Sequence, residues 1–542
     1  MFDFMDRQVR EVVDLDYIIE KIHPKTPYGL EYKKNMRPYP VGTEKYLRQD
    51  LDLLEKFIDW SHDSEGLSEV KRQLHVVKDV RYSLERAKGD SVLSEVELYE
   101  IKAIVFTVKN LMDILDNSGL LLSHKTKLSR IEELETVLNP EGENTSSFYL
   151  YDSYSPRLAK MRRTRSSLEN QSRTELRRIR MKLKEDYNLS LSADSTVLLS
   201  KQDKDSIKRA EECPYIVFQS ETFNAVVFSL KQTDDILSVK EEIEYYKNQE
   251  YEEEQSVLRN LTREVAKHYR HMHKNINGIA NIDLYIAKAE MAKKMKAIKP
   301  DIIEEHTIDI QEGRYPKIED KLKQEGMEFT PISISVTQGV TCITGANMGG
   351  KTISLKIVGL LSIMAQLALF VPAESMRFGL NRFVRTSIGD FQSTSSGLST
   401  FGGEIENVTY AMKHADERGL LLIDELARGT NPQEGYAISL AIAHHLMDKQ
   451  AITILTTHFD QITRLPGIRH LQVVGLANVD LENIELNTEH SALKRINQFM
   501  DYRLKEVSQF TEVPKDAIRI AQMMGLPEEI TRYAEDTLKN GW

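Results

Sequence analysis

Cysteine is nearly absent: Cys213 and Cys342 are the two in 542 residues, far apart and without metal-ligand spacing. That excludes a disulfide framework and a cysteine-based zinc site, and it fits a reducing compartment. A long apolar run is missing as well. The longest stretch, VGLLSIMAQLALFV from Val358 to Val371, is broken by Ser362 and Gln366 and is shorter than the ~20 residues of a spanning helix. It reads as a buried helix of a soluble protein with no membrane partner. The opening residues, MFDFMDRQVREVVDLD, carry early charges and no uninterrupted apolar core, so a cytoplasmic rather than exported chain is expected. Basic charge is not in excess either, since 72 Lys and Arg face 83 Asp and Glu, net −11. A polyanion must therefore be met by a local basic face, because the field of the whole molecule repels it. Repeats of fixed period and low-complexity tracts are absent. What is present, 41% hydrophobic and 29% charged residues, supplies several cores, and a chain of this length predicts two to four domains.

The first 125 or so residues carry helical periodicity. Leu98, Ile101, Val105, Val108, Met112 and Leu115 share one helix face, Leu47, Leu51, Leu54 and Ile58 another, and both stripes predict bundle packing. Ser94 and Glu97 are placed to form a capping box. Between Thr136 and Pro156 a run of Pro, Gly, Asn and Ser ends the pattern. Beyond it, Arg157 to Lys184 holds eleven Lys or Arg and two acids, Glu169 and Glu175. This basic helix has two readings: a surface for phosphates, or a solvated face paired with the acidic run Glu241 to Glu254. YIVF and FNAVVF around QSET predict a hairpin between two helical arms. The returning arm has Leu258, Leu261, Val265, Met272, Ile276 and Ile279 on one stripe. Its His268, His271 and His273 lack the spacing of a helical zinc motif and read as an exposed face.

After Pro300, short apolar strands alternate with helices, which predicts a mostly parallel sheet covered on its faces. Gly345, Ala346, Asn347, Met348, Gly349, Gly350, Lys351 and Thr352 complete a G-x-x-x-x-G-K-T between strand and helix. Glycines there let backbone N–H groups face phosphate oxygens, Lys351 adds charge, and the Thr352 hydroxyl is a ligand for Mg²⁺. Leu420 to Ile423 form a second apolar strand ending in Asp424 and Glu425. Asp424 is predicted to hold the magnesium shell and Glu425 to activate the attacking water. ITILTTH places His458 at the end of another core strand as a γ-phosphate sensor. Ser393 to Thr400, STSSGLST, puts hydroxyl donors at a helix start.

TGANMGGKT, VPAES, IGDFQSTSSGLSTFGGEIENV, LLIDELARGT and TTHFDQIT, in this order, resemble the MutS family of ABC-type ATPases across roughly Asp301 to Asn478. IGDFQ, LSTF and GTNPQEG look closer to the second bacterial branch. The resemblance implies an α/β P-loop ATPase domain with a parallel-rich sheet, joined to a long, mostly α-helical core, lever and clamp portion and a C-terminal helical dimerisation tail. The boundaries expected are 1–135 for the core and lever, 136–300 for the clamp-like arms and return lever, 301–490 for the ATPase and 491–542 for the tail. Neither the family's mismatch-reading domains nor a C-terminal nuclease module is expected. The resemblance also implies ATP and Mg²⁺ as cofactors, Glu425, His458 and Lys351 as catalytic, Thr352 and Asp424 as metal ligands, and Ser399 reaching the ATP of the opposite subunit of a homodimer. EGRYP implies Arg314 and Tyr315 near the base. Two functions follow from it: an ATPase of DNA mismatch repair, recombination or damage sensing that binds DNA by structure rather than base sequence, or one that reactivates a protein partner such as a cobalamin-dependent lysine aminomutase.

Overall fold

The computed structural model describes residues 4–142, 148–192, 194–345, 350–389, 400–427, 430–459, 461–475, 500–508, 516–523 and 525–540. The chain forms two compact units. Met1–His75, Met112–Lys127 and Asn277–Trp542 make one, Val76–Leu111 and Leu128–Ile276 the other.

The second unit is built on two long helices, Pro156–Tyr187 and Asp234–Lys267, packed against each other. Ser155 caps the first by accepting the Leu158 N–H, and Pro156 sits where its missing N–H costs nothing. Arg162 pairs with Asp152, Glu250 and Glu254, and Arg165 with Glu250 and Glu169. The acidic run therefore pairs with Arg162 and Arg165 in the proximal half of the basic helix, while Arg173, Arg177, Arg180 and Lys184 farther along are exposed. A three-stranded antiparallel sheet of β1 (Thr196–Ser200), β2 (Ile216–Glu221) and β3 (Ala225–Leu230), in the order β1-β3-β2, adjoins the ends of these helices. Its core joins Val197, Ile216 and Phe228 to Ile179 and Leu183. The hairpin is thus present, but β2 runs through QSE and the turn falls at 222–224. β1 and the helix Lys204–Glu212 escaped the sequence reading because neither has a sustained apolar pattern. The stripes hold: Leu98, Ile101, Val105 and Val108 are buried, as are Leu258, Leu261, Val265 and Met272. The capping box also forms, Ser94 N–H donating to Glu97 Oε2 at 2.9 Å and Glu97 N–H to Ser94 Oγ at 3.3 Å.

The first unit holds two sheets. One orders β4 (Asp301–Ile303), β8 (Ser375–Gly379), β5 (Thr307–Gly313) and β6 (Ile332–Thr337). The other, in the order β13-β12-β7-β11-β10-β9, joins β13 (Asp501–Glu506), β12 (Arg469–Gly475), β7 (Gly339–Thr344), β11 (Ile452–Thr456), β10 (Gly419–Asp424) and β9 (Phe383–Ser387). All its pairings are parallel except β12 with β13. Asp501–Glu506 had been expected in the helical tail. Instead Tyr502 and Leu504 alternate with charged residues, and the segment adds an edge strand. Helices Asp516–Met523 and Glu528–Asn540 follow it and pack on each other.

The helix Gly350–Gln366 after β7 is buried along most of its length, which accounts for the apolar run noted in the sequence. Among the described residues no helix is long and apolar enough to cross a membrane. Where this helix ends, the buried Lys288 donates to the carbonyls of Leu367 (3.5 Å) and Ala368 (3.3 Å), a cation at the negative end of the helix dipole. Asp50 lies nearby, bonded to Lys125 and to the Tyr39 hydroxyl.

Candidate active site

The parallel strands β7, β10 and β11 end side by side, and the loops leaving them carry the polar residues. β7 turns at Gly345, whose φ is +130°. A Cβ there would stand 2.9 Å from that of Val473, so both the backbone conformation and the close approach of β12 require glycine. Ala346, Asn347, Met348 and Gly349 lie outside the described residues, as does Ser399 with most of STSSGLST. Gly350 opens the helix, followed by Lys351 and Thr352.

Lys351, Glu425 and His458 meet. Lys351 Nζ is 2.9 Å from Glu425 Oε1, and His458 Nε2 is 2.6 Å from the same oxygen. The Lys351 and Glu425 side chains are 4% and 5% exposed, whereas His458 is 45% exposed, so the histidine forms the solvent side of the cluster. Lys351 Nζ also lies 3.3 Å from His458 Nδ1. The ammonium also lies 3.4 Å from Nε2, almost equidistant from the two ring nitrogens, and it is Nε2 that meets the carboxylate. A buried ion pair of this kind resists the loss of either partner, since the survivor is left charged in a poorly solvated place.

Asp424 ends β10 and is bonded at both oxygens: Thr352 Oγ1 donates to Oδ2 at 2.7 Å and Thr456 Oγ1 to Oδ1 at 2.6 Å. Thr352 and Asp424 form an oxygen-only donor pair, the hard set that suits Mg²⁺ and leaves places for water and phosphate. The chain then enters an uncommon turn, with φ +50° at Glu425 and +65° at Ala427. Each such non-glycine residue costs about 1–2 kcal/mol. The Glu425 N–H donates to Thr456 Oγ1 at 2.9 Å, so Thr456 serves both acids. Sequence reasoning missed Thr456, although the pair of threonines before His458 was visible. It also missed the buried His470, whose Nε2 meets Thr344 Oγ1 at 2.8 Å. Cys342 on β7 is inert, its thiol pushed up to about 12 by burial.

Beside Gly350 opens a cavity of about 510 Å³, lined by Phe329, Ile353, Met500 and Tyr502 among others. Burial raises the Tyr502 hydroxyl above its ordinary range. Arg314 and Tyr315 do not line it. Arg314 is held by Glu319 and the carbonyls of Met295 and Lys296, and Tyr315 by Asp14.

A parallel sheet, a glycine turn into a helix bearing lysine and threonine, and an aspartate–glutamate pair on the next strand but one define a P-loop ATPase. Residues 341–540 match the family model MutS domain V. The chain is 27% identical over 560 residues to Endonuclease MutS2 of Geobacillus thermodenitrificans, covering 98% of this chain and 68% of that one. Endonuclease MutS2 of a second Geobacillus strain is 29% identical over 567 residues with the same coverage, and that of Bacillus velezensis 28% over 519, covering 92% and 62%. Residues 341–540 thus carry a MutS domain V, an ATPase domain, so the chain is an ATP-hydrolysing enzyme that is similar over nearly all its length to Endonuclease MutS2.

Proposed function

We propose that the chain is a homodimeric ATPase in which ATP binds between protomers and its hydrolysis moves long helical arms that hold DNA. The observation that carries this reading is the single cluster of Lys351, Glu425 and His458 beside the Thr352–Asp424 pair. Gly345 to Thr352 would wrap the phosphates, the base would enter the cavity of Phe329 and Tyr502, and the partner's Ser399 would reach the same nucleotide. Thr352 and Asp424 would hold Mg²⁺, which when bound neutralises charge on the β and γ phosphates.

The Lys351–Glu425 pair gives this reading its order of events. Phosphate oxygens compete with Glu425 for the ammonium of Lys351. Once the lysine turns to phosphate, the Glu425 carboxylate is released to take the proton of the attacking water, while His458 remains its hydrogen-bond partner and keeps it oriented. Glu425→Gln is expected to retain ATP and to slow hydrolysis by about 10²-fold or more, read by filter-retained nucleotide and phosphate release. Equal turnover in both proteins would refute the role of Glu425.

For DNA, the support is the exposed row Arg173, Arg177, Arg180 and Lys184, spaced to share one helix face. Binding to branched, mismatched and plain duplexes across a salt titration tests it, and no binding at low salt removes DNA as the partner. The pairing of Arg162 and Arg165 with Glu250 favours a second reading, a protein partner of the aminomutase kind. Capture of partners by the Glu425→Gln protein with ATP separates the two.

A further inference from the structure

The turn that aims Glu425 is held from three sides. Thr456 on β11 accepts the Glu425 N–H at 2.9 Å. From the helix Pro432–Leu446, the Ser439 hydroxyl donates to the Leu426 carbonyl at 3.3 Å, and Gly435 approaches so closely that a Cβ would stand 3.0 Å from the Ala427 carbonyl oxygen. The third hold comes from the helix Thr400–Lys413. Glu404, 6% exposed, accepts the Ala427 N–H through Oε2 at 3.0 Å. A buried side-chain oxygen spent on a loop amide fixes the orientation of that amide, and Ala427 is itself one of the two left-handed residues of the turn.

We infer that Glu404 is a positioning residue for hydrolysis: by accepting the Ala427 N–H it fixes the left-handed turn that aims the Glu425 carboxylate. It thereby ties the helix that begins as STSSGLST ends to the group that activates water. This rests on the role proposed for Glu425. Glu404 belongs to neither the Lys351–Glu425–His458 cluster nor the Thr352–Asp424 pair, so its removal should act on kcat and spare nucleotide affinity.

The test compares Glu404→Ala, Glu404→Gln, Glu404→Asp and Glu425→Gln in parallel for kcat, ATP affinity and thermal midpoint. Glu404→Ala is expected to bind ATP within about threefold of the wild type and to lose about 10²-fold in kcat, the cost of a small misplacement of a reacting group. Glu404→Gln keeps an acceptor oxygen at the same reach and is expected to restore kcat to within about threefold. Glu404→Asp keeps the charge but withdraws the oxygen by one methylene and is expected to fall between them. The inference is overturned if Glu404→Ala has wild-type kcat, if Glu404→Gln is as slow as Glu404→Ala, or if ATP affinity and thermal midpoint collapse together with kcat. Should the alanine variant not fold, a folded Glu404→Asp protein with wild-type kcat overturns it equally. Wild-type turnover in Glu425→Gln would instead mark the failure of the role given to Glu425.

Discussion

Glu425 combines a costly backbone conformation with a buried charge, and both are compensated by neighbours from distant parts of the chain. Its φ of +50° is tolerated because Thr456 takes its N–H, and its carboxylate because Lys351 and His458 share one oxygen. Lys351→Ala is therefore expected to abolish ATP binding and to lower stability by about 3–5 kcal/mol, the usual cost of breaking a buried pair, checked by nucleotide binding and denaturant titration. Lys288 makes a second residue-scale prediction. Burial, partly offset by Asp50, lowers its ammonium to about 8. Between pH 8 and the ordinary lysine value the unfolded chain then binds more protons than the folded one, so this group's contribution to stability rises with pH across that window, by about 3 kcal/mol. The unfolding free energy of the wild type minus that of Lys288→Met should climb between pH 7.5 and pH 10. A flat difference would contradict the placement of a buried cation at the end of the helix Gly350–Gln366.

At the scale of elements, what the sequence made legible was local. The glycine turn, the lysine and threonine that follow, and a strand ending in Asp424 and Glu425 are dictated by residue types at short spacing. The helical stripes and the capping box of Ser94 and Glu97 are equally local. What escaped depends on which strands lie side by side. Thr456 reaches Asp424 because β11 neighbours β10, His470 reaches Thr344 because β12 neighbours β7, and Tyr502 reaches the cavity because Asp501–Glu506 pairs with β12 rather than starting a helix. No spacing rule encodes that order. The basic helix shows the same division: its composition was plain, but only the packed arms show which cations are already spent. Alanine at Arg173, Arg177, Arg180 and Lys184 should each weaken DNA binding and lower the salt slope by about one. Alanine at Arg162 or Arg165 should leave the slope unchanged and loosen the pairing with the helix Asp234–Lys267. Binding isotherms at several salt concentrations check both, and equal effects from the two groups would contradict the assignment.

At the scale of the whole molecule, the proposal requires two copies. Lys351, Thr352, Asp424, Glu425 and His458 converge within one chain, whereas Ser399 is assigned to the nucleotide of the other. Lys288 on the helix Tyr269–Lys294 meets the end of the helix that starts at Gly350. The most direct test of the shared site mixes two inactive proteins. Lys351→Ala cannot hold ATP but supplies Ser399, and Ser399→Ala holds ATP but supplies no serine. Each alone should be silent, and an equal mixture should recover about a quarter of wild-type turnover, because half of randomly paired dimers carry one intact site of two. A mixture as inactive as its components, or full activity in Ser399→Ala alone, would contradict hydrolysis between paired chains.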